Sequence, residues 1–318
     1  MFSTDFAQYD SVSSKEFKDS VWAVLEVTGK PNVADFFPIL KPFDLQGLVR
    51  RENVYGKKIL TIFDRIIDQR LQTRLSSSVT PTNNDVLDLL LNLSLKDEPK
   101  LTQNDMRHLF YTLFIAGTDT TSSTLEWAID ELIHNPEKLQ TARSEIIKLM
   151  ENNKKNIQEQ DICQLPYLQA VIKETLRLHP PDPFLVPHQA IHDVEIHGFM
   201  VPKNVQILCN VWAMGRDPKV WSHPKEFMPE RFLEVKIDYN GQDFELIPFG
   251  AGRRMCPGLN MAQRICIAFD GGILVVCRVG VALRIIKGVK WWQMTGEVVV
   301  AFGGDVMGEV LLAVGGDV

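Results

Sequence analysis

The chain has 318 residues, of which 45% are hydrophobic and 23% are charged, and its formal net charge is −6. This composition is typical of a globular protein with one large core or two ordinary domains, and it excludes an intrinsically disordered chain. The negative net charge provides no overall electrostatic attraction to nucleic acid or to an anionic membrane.

The use of cysteine indicates a reducing compartment. The five cysteines are an odd number, lie far apart and include no C-x-x-C pair. That pattern argues against a disulfide framework and against a zinc-binding or redox-sensing protein. Cys256 lies in a distinctive loop that is treated below. We expect the other four to be small buried hydrophobic residues: Cys163, Cys209, Cys266 and Cys277.

No segment has the length and apolarity of a membrane-spanning helix or of a signal peptide. Residues 1–10 contain no apolar core, and the most apolar stretch, Gly271 to Ile286, is interrupted by Arg278 and Arg284. We therefore expect this chain itself to carry no membrane anchor and to be soluble.

The first part of the chain alternates helical patterns with breaks. Residues 14–30 predict a helix that ends at Gly29, just before a proline. Val33 to Phe43 is apolar, aromatic and twice broken by proline, so it predicts a loop or short turns that either pack internally or contact lipid or a hydrophobic substrate. Residues 44–75 predict a long helix with one apolar side, and residues 76–84 predict a surface loop.

The middle of the chain predicts three more helices. A capping box, T-x-x-D at Thr102 to Asp105, precedes an apolar run and predicts the start of the first. That helix can continue for about 30 residues, roughly 45 Å at 1.5 Å per residue, to Asn135-Pro136. The second covers residues 137–151. After a polar loop, the third begins at Pro166 and stops at His179-Pro180-Pro181.

Residues 184–211 change to short alternating runs that predict short strands, with a turn at His197-Gly198. Residues 212–255 are rich in Pro, Gly, Trp and Arg and predict a structured loop, and a further helix is expected after Pro257-Gly258. The predicted fold class is therefore mainly α with a small β portion.

The last residues, 270–318, differ from the rest. They are rich in Gly and Val and repeat a unit of about twelve residues, GEVVVAFGGDVM and then GEVLLAVGGDV. Two copies are too few for a solenoid, which needs at least about three repeats. We interpret this part as a low-complexity tail.

The strongest chemical signal is P-F-G-A-G-R-R-M-C-P-G, residues 248–258. Its glycines allow a close approach of the backbone to a flat ligand and leave amide hydrogens free to point at the sulfur of Cys256. Those amides and the N-terminus of the following helix favour a thiolate. Arg254 offers a cation to an anionic ligand, and Phe249 shields the sulfur from water. A phosphate-binding loop would instead need Lys-Ser/Thr after the glycines.

This segment resembles the heme-binding loop of cytochromes P450, F-x-x-G-x-R-x-C-x-G. It matches at Phe249, Gly252, Arg254, Cys256 and Gly258. The resemblance implies a partial cytochrome P450 fold that binds heme b, with Cys256 as the fifth iron ligand, whose thiolate favours O–O cleavage. It also implies a monooxygenase that acts on a hydrophobic small molecule, receives electrons from an NADPH-cytochrome reductase and works at the cytosolic face of the endoplasmic reticulum membrane.

The segment Ala116 to Thr121 (A-G-T-D-T-T) resembles the oxygen-activation motif of the family's long central helix. By that resemblance Thr120 holds dioxygen and a water, and Asp119 supplies protons. Gly117 costs about 1 kcal/mol relative to alanine in mid-helix. A local widening of the helix beside dioxygen is one reason for this glycine, and close packing of helices is the alternative.

A second pair of signatures concerns charge. Glu174 and Arg177 are three residues apart on one face of a predicted helix, and Pro229 to Phe232 resembles the family's P-E-R-F segment. The resemblance implies that Glu174, Arg177 and Arg231 form a buried charge network. Its role would be structural and not catalytic.

Three further segments resemble plant microsomal members of the geraniol 8-hydroxylase and ferruginol synthase-like group: AGTDTTSSTLEWA, VADFFPILKPFDLQG and CNVWAMGRDPKVW. They imply a terpenoid substrate. By the same comparison the substrate pocket includes Ala116, Thr120, Phe184, Leu185 and Val186.

The resemblance covers residues 1–269, which correspond to the C-terminal half or more of the family domain. The family's membrane anchor and first β-sheet have no counterpart in it, and residues 270–318 do not resemble the family. His188 stands where relatives usually have an arginine that faces the heme. The alternative interpretation is a non-catalytic, truncated remnant with weak or no heme binding.

Overall fold

The computed structural model describes residues 12–76, 85–96, 101–153, 159–276, 298–302 and 310–314. These residues are mostly helical with few short strands, so the predicted fold class is confirmed. The helices are α1 (Val12–Thr28), α2 (Val33–Phe36), α3 (Leu48–Ser76), α4 (Val86–Lys96), α5 (Gln103–His134), α6 (Pro136–Asn153), α7 (Pro166–Leu178), α8 (Val211–Met214), α9 (Arg231–Glu234) and α10 (Leu259–Val276), with 3-10 turns at Pro38–Phe43, Glu159–Gln164 and Gly252–Arg254.

The strands form pairs. β1 (His188–Gln189) is antiparallel to β4 (Gln206–Ile207), and β2 (Val194–Ile196) is antiparallel to β3 (Phe199–Val201). The turn predicted at His197-Gly198 is confirmed. Both of its residues have positive φ, 49° and 81°, as a tight two-residue hairpin turn requires.

The twelve-residue repeat contains strands that the sequence analysis did not predict. β5 (Val298–Phe302) lies in the first copy and β6 (Val310–Val314) in the second, and the two strands pair with each other. Several other predictions fall outside the described residues: the loop over residues 77–84, the part of the polar loop over residues 154–158, and Cys277.

The chain divides into two compact units. The first comprises residues 1–119 with 299–315, and its described core lies where α1, α3, α4 and the start of α5 meet. The predicted apolar side of α3 is buried there, with Ile59, Phe63 and Ile67 at 0% exposure. Phe63 also contacts the ring of Phe17 edge-on, with 6.1 Å between the ring centroids.

The second unit comprises residues 120–298 with 316–318, and α7 lies in its core. Ten of the 13 residues of α7 are buried. The helix begins at Pro166 and ends before His179-Pro180, as predicted, because proline is favoured at a first helical position and disfavours helix in the residue before it. This buried helix therefore presents Glu174 and Arg177 to the interior.

The long helix α5 begins where the capping box predicts. The Asp105 amide donates to Thr102 Oγ1 at 3.1 Å, and the Thr102 amide donates to Asp105 Oδ2 at 2.9 Å. Each side chain therefore accepts one of the N–H groups that a helix N-terminus leaves unpaired. The helix has 32 residues. Within the described part of the chain, no helix combines the length and apolarity needed to cross a membrane.

The prediction for the cysteines was partly wrong. Cys266 is buried, but Cys163 is exposed and Cys209 is only half-buried. Cys163 lies in the short 3-10 turn Glu159–Gln164, and Cys209 follows the two-residue strand β4. Both lie in short connecting segments that other parts of the chain cover only incompletely, so these side chains keep contact with solvent.

Candidate cofactor site

The cysteine loop, residues 248–258, is closed by its own backbone. The Cys256 amide donates to the Phe249 carbonyl at 2.9 Å, and the Met255 amide donates to the Gly252 carbonyl at 3.2 Å. Gly250 and Gly252 both have φ of 74°, a conformation that residues with a Cβ adopt at a cost. The glycines are thus required by the shape of the loop.

The side chain of Cys256 is exposed. Helix α10 begins three residues later, so Cys256 lies at a helix N-terminus, where N–H groups and the helix dipole favour an anion. A Cβ on Gly258 would lie 3.6 Å from the sulfur, and a Cβ on Gly252 would meet no atom within 4 Å. The loop is therefore open around the thiol, which leaves space for a flat ligand.

Arg254 and Phe249 differ in their surroundings. The guanidinium of Arg254 is exposed and makes no hydrogen bond or ion pair with any described residue. Phe249 is half-buried and packs on the core of the second unit. Arg254 is thus available to an anionic group of a ligand, whereas Phe249 is held in place behind the loop.

The structure brings Glu174, Arg177 and Arg231 together. Arg177 donates to both carboxylate oxygens of Glu174 at 2.7 Å, and both side chains are completely buried. Arg231 Nε lies 3.2 Å from the same carboxylate, which also accepts the Met228 amide at 2.7 Å. Two positive charges thus share one buried carboxylate.

The two arginines hold the segment between α8 and α9 through its carbonyl groups. Arg177 donates to the carbonyls of Gly215, Pro224 and Glu226. Arg231 donates to the Ser222 carbonyl at 2.8 Å. All five N–H groups of Arg177 are therefore used, and Nη2 of Arg231 donates to the His223 carbonyl at 3.3 Å. Buried charges need such partners.

Trp221 belongs to this network although the sequence analysis assigned it no role. Its buried ring lies under the guanidinium of Arg177, 5.4 Å from the ring centroid, and under that of Arg231 at 5.9 Å. Its indole N–H donates to the Met214 carbonyl at 3.1 Å. The only signal in the sequence was a tryptophan eight residues before P-E-R-F, which by itself does not predict contact with two arginines.

The residues of the oxygen-activation motif lie in the middle of α5. Ala116 and Thr120 are both exposed and lie on one face of the helix, four residues apart. A Cβ on Gly117 would meet nothing within 4 Å. Tight helix packing therefore does not explain this glycine within the described structure. Thr118 donates its hydroxyl to the Phe114 carbonyl at 2.6 Å.

Of the predicted pocket residues beyond α5, Leu185 lies against the cysteine loop. Its Cδ1 would be 3.9 Å from a Cβ on Gly250. Leu185 has φ of 53°, a strained conformation that costs about 1–3 kcal/mol and is concentrated at functional sites. Phe184 and Val186 are exposed on either side of it, and His188 is exposed in β1.

Taken together, the donor set fits heme. An exposed thiol stands at a helix N-terminus, and the glycines beside it leave a flat group room to approach. Arg254, two residues away, pairs with no residue in the part of the chain that the structure describes. Thiolate, open face and cation are the three features that an anionic porphyrin with a sulfur ligand needs.

Comparison with known proteins gives consistent matches. The family model described as Cytochrome P450 matches residues 1–274. Cytochrome P450 76T24 of Catharanthus roseus is 53% identical over 263 residues, which are 83% of this chain and 52% of that protein. Geraniol 8-hydroxylase of Swertia mussotii is 47% identical over 86% of this chain and 54% of its own length. Ferruginol synthase of Isodon rubescens is 46% identical over 83% of this chain and 54% of its own length.

A solved structure has the same fold. It is a zebrafish cytochrome P450 determined with progesterone, with a TM-score of 0.71 and 26% sequence identity over 86% of this chain and 60% of that one. The chain spans about half the length of the curated relatives it matches.

Proposed function

The chain belongs to the cytochrome P450 family, and from that premise we propose that it acts as a heme-thiolate monooxygenase. The reaction would insert one oxygen atom of O2 into a hydrophobic small molecule. The observation that carries this proposal is the exposed thiol of Cys256 on an open glycine loop at the start of α10.

Each residue of the loop has a task in this proposal. Cys256 would supply the sulfur that holds heme, and the hydrogen bond from its amide to the Phe249 carbonyl fixes the position of this residue. Arg254 would bind a heme carboxylate through a charge-assisted hydrogen bond. Heme held by a thiolate would supply the chemistry of O2 activation. Gly252 and Gly258 keep the face of the loop free of side chains.

Asp119 and Thr120 are proposed to serve proton delivery on α5. The hydroxyl of Thr120 holds a water by hydrogen bonding, and the carboxylate of Asp119 relays protons from solvent. Gly117, one turn earlier, leaves that side of the helix open. A proton can pass between a carboxylate and a hydroxyl through a water that both groups contact.

A terpenoid is the proposed substrate class. Two relatives that share 46–47% identity with this chain are named geraniol 8-hydroxylase and ferruginol synthase. Ala116, Phe184, Leu185 and Val186 would supply apolar contacts to such a molecule, and all four are hydrophobic. Apolar pockets bind apolar ligands mainly by removing their surface from water.

Electron supply and location follow from the same proposal. We propose that an NADPH-cytochrome reductase delivers the electrons and that the reaction takes place at the cytosolic face of the endoplasmic reticulum membrane.

Turnover of terpenoids tests the proposal. The full chain, expressed with heme supply, is incubated with a reductase, NADPH and geraniol under labelled O2. We expect a product that carries one labelled oxygen atom. Thr120→Ala should lower product formation by about 10²-fold, within the range typical of losing a proton-transfer group, while heme content stays unchanged.

Two results would contradict the proposal. Heme-loaded protein that forms no oxygenated product from any terpenoid would exclude the substrate class. Protein that incorporates no heme at all would support the alternative, a non-catalytic chain.

A further inference from the structure

A buried tyrosine stands directly behind the cysteine loop. The ring of Tyr239 is tilted by 59° against that of Phe249, with 5.4 Å between their centroids, a favourable geometry for an aromatic pair. Tyr239 is only 3% exposed, so almost the whole ring is in contact with protein. Because the carbonyl of Phe249 accepts the Cys256 amide at 2.9 Å, Tyr239 is one side chain away from the residue that bears the sulfur.

Tyr239 is also connected to α7. Lys173 Nζ lies 5.9 Å from the centroid of the tyrosine ring. The same ammonium group is 3.3 Å from Asp238 and donates to the Ile237 carbonyl at 3.2 Å. One lysine of α7 thus contacts three consecutive residues of the chain and fixes the segment in which Tyr239 lies.

That segment packs closely on the cysteine loop. Gly241 has φ of 80°, and a Cβ at this position would lie 3.0 Å from Met255 Sδ and 3.3 Å from the Gly250 carbonyl. A side chain there would be strained by the positive φ and would press on Met255 and on the backbone of the loop. Residues 237–243 form a turn that is closed by a hydrogen bond from the Asp238 amide to Asp243 Oδ2 at 2.8 Å.

The hydroxyl of Tyr239 stays neutral. Burial is the main cause that raises the pKa of Tyr239 above its usual value, and the neighbouring Asp238 and Cys266 act in the same direction. The phenol therefore carries no charge at neutral pH. Its aromatic ring, and not its ionisation, provides the contact with Phe249.

From these contacts we infer that Tyr239 is a positioning residue for the heme ligand. Its ring, held by Lys173, fixes Phe249, and Phe249 fixes the amide of Cys256. The consequence for heme rests on the proposed function. The contact of Tyr239 with the loop can be tested without heme.

Hydrogen exchange of the full chain tests the inference. Tyr239→Leu removes the ring, and Tyr239→Phe keeps the ring while it loses the hydroxyl. Phe227→Leu is the matched control, because Phe227 is another buried aromatic residue, 5% exposed, of the same core. Exchange is compared between peptides that cover residues 249–258 and peptides that cover α7.

In Tyr239→Leu we expect the loop peptides to exchange faster by roughly threefold or more relative to the α7 peptides, which corresponds to the loss of one aromatic pair. Tyr239→Phe and Phe227→Leu should leave this ratio unchanged. Equal acceleration in both segments, or a Tyr239→Phe variant that behaves like Tyr239→Leu, would overturn the inference. If Tyr239→Leu does not fold, Tyr239→Met removes the ring with a flexible side chain of similar length, and the same criterion applies.

A second measurement connects the loop to heme. In heme-loaded protein, Tyr239→Leu should lower the share of the reduced carbon monoxide complex that shows thiolate ligation, and Tyr239→Phe should restore it. If Tyr239→Leu and the wild type contain the same share of thiolate-ligated complex, the role of Tyr239 in positioning the heme ligand is contradicted. If the wild-type chain takes up no heme, the proposed function fails, whereas the exchange experiment still decides whether Tyr239 orders the loop.

Discussion

At the scale of single residues, the site depends on glycines whose backbone conformation or close approach to another segment is unfavourable for a residue with a Cβ. Gly250 and Gly252 have left-handed backbone conformations, and Gly215 approaches another segment closely. A Cβ on Gly215 would clash with the backbone carbonyl oxygen of Arg177. Because that oxygen belongs to the buried helix α7, it cannot move away as the end of a flexible side chain could.

Gly215→Ala should therefore destabilise the protein by about 1–3 kcal/mol, the usual cost of overpacking a core. Chemical denaturation measures this change. Gly29→Ala is the control, because its Cβ would meet only the Leu25 carbonyl at an ordinary 3.6 Å. Equal stability of the two variants would show that the segment after α8 can move away from α7.

Site residues could be recognised from the sequence where they form a local pattern. The five positions of the cysteine loop are close in sequence, and together they resemble the heme-binding loop of the family. Tyr239 and Trp221 could not be found in this way, because Phe249 and the two arginines that their rings contact lie ten or more residues away. Nothing in the sequence indicates that these side chains meet.

At the scale of elements, the N-terminus of α7 is capped by a residue of the neighbouring helix α6. Its N-cap residue, Leu165, has no side chain that can accept a hydrogen bond. Glu145 of α6 takes that role: its two carboxylate oxygens accept the amides of Tyr167 at 2.8 Å and Leu168 at 3.0 Å. The helix that carries Glu174 and Arg177 is thus capped from a separate helix.

Glu145→Ala should lower the free energy of unfolding by about 0.5–2 kcal/mol at neutral pH, as the loss of a helix cap does. Thermal or urea denaturation measures it. Glu151→Gln, an exposed position on the same helix, is the control and should change little. If the two variants have the same stability, solvent caps α7 equally well.

The same carboxyl predicts a pH dependence. Burial raises the pKa of Glu145, and the two amide hydrogen bonds offset only part of that increase. A carboxyl with a higher pKa in the folded state contributes stability that is complete below its ordinary pKa of 4.5 and is lost as the pH rises through the raised value. The stability of the wild type relative to Glu145→Gln should therefore increase as the pH falls from 7 towards 4.5. A constant difference would contradict the burial of this charge.

Helix boundaries were largely predictable, since caps and breaks are short-range signals. The capping box placed the start of α5, and prolines placed both ends of α7. The cap by Glu145 was not predictable, because it joins residues 22 and 23 positions apart. Exposure of Cys163 was missed for a similar reason: burial depends on which segments cover a residue.

At the scale of the whole molecule, the order of elements identified the fold class, and the matches confirmed the family. The division into a family portion, residues 1–269, and a Gly/Val-rich tail, residues 270–318, stays a prediction. Helix α10 continues across this boundary to Val276, and the family match ends at residue 274. The strands in the repeat were not predictable from two copies.

The central claim is that the sulfur of Cys256 binds the iron of heme, and the absorption spectrum of the reduced, carbon monoxide-bound protein tests it most directly. We predict the red-shifted Soret band of thiolate ligation in the wild type and its loss in Cys256→Ser with unchanged helical content. A heme-loaded wild type without that band, or a Cys256→Ser variant that retains it, would contradict the account.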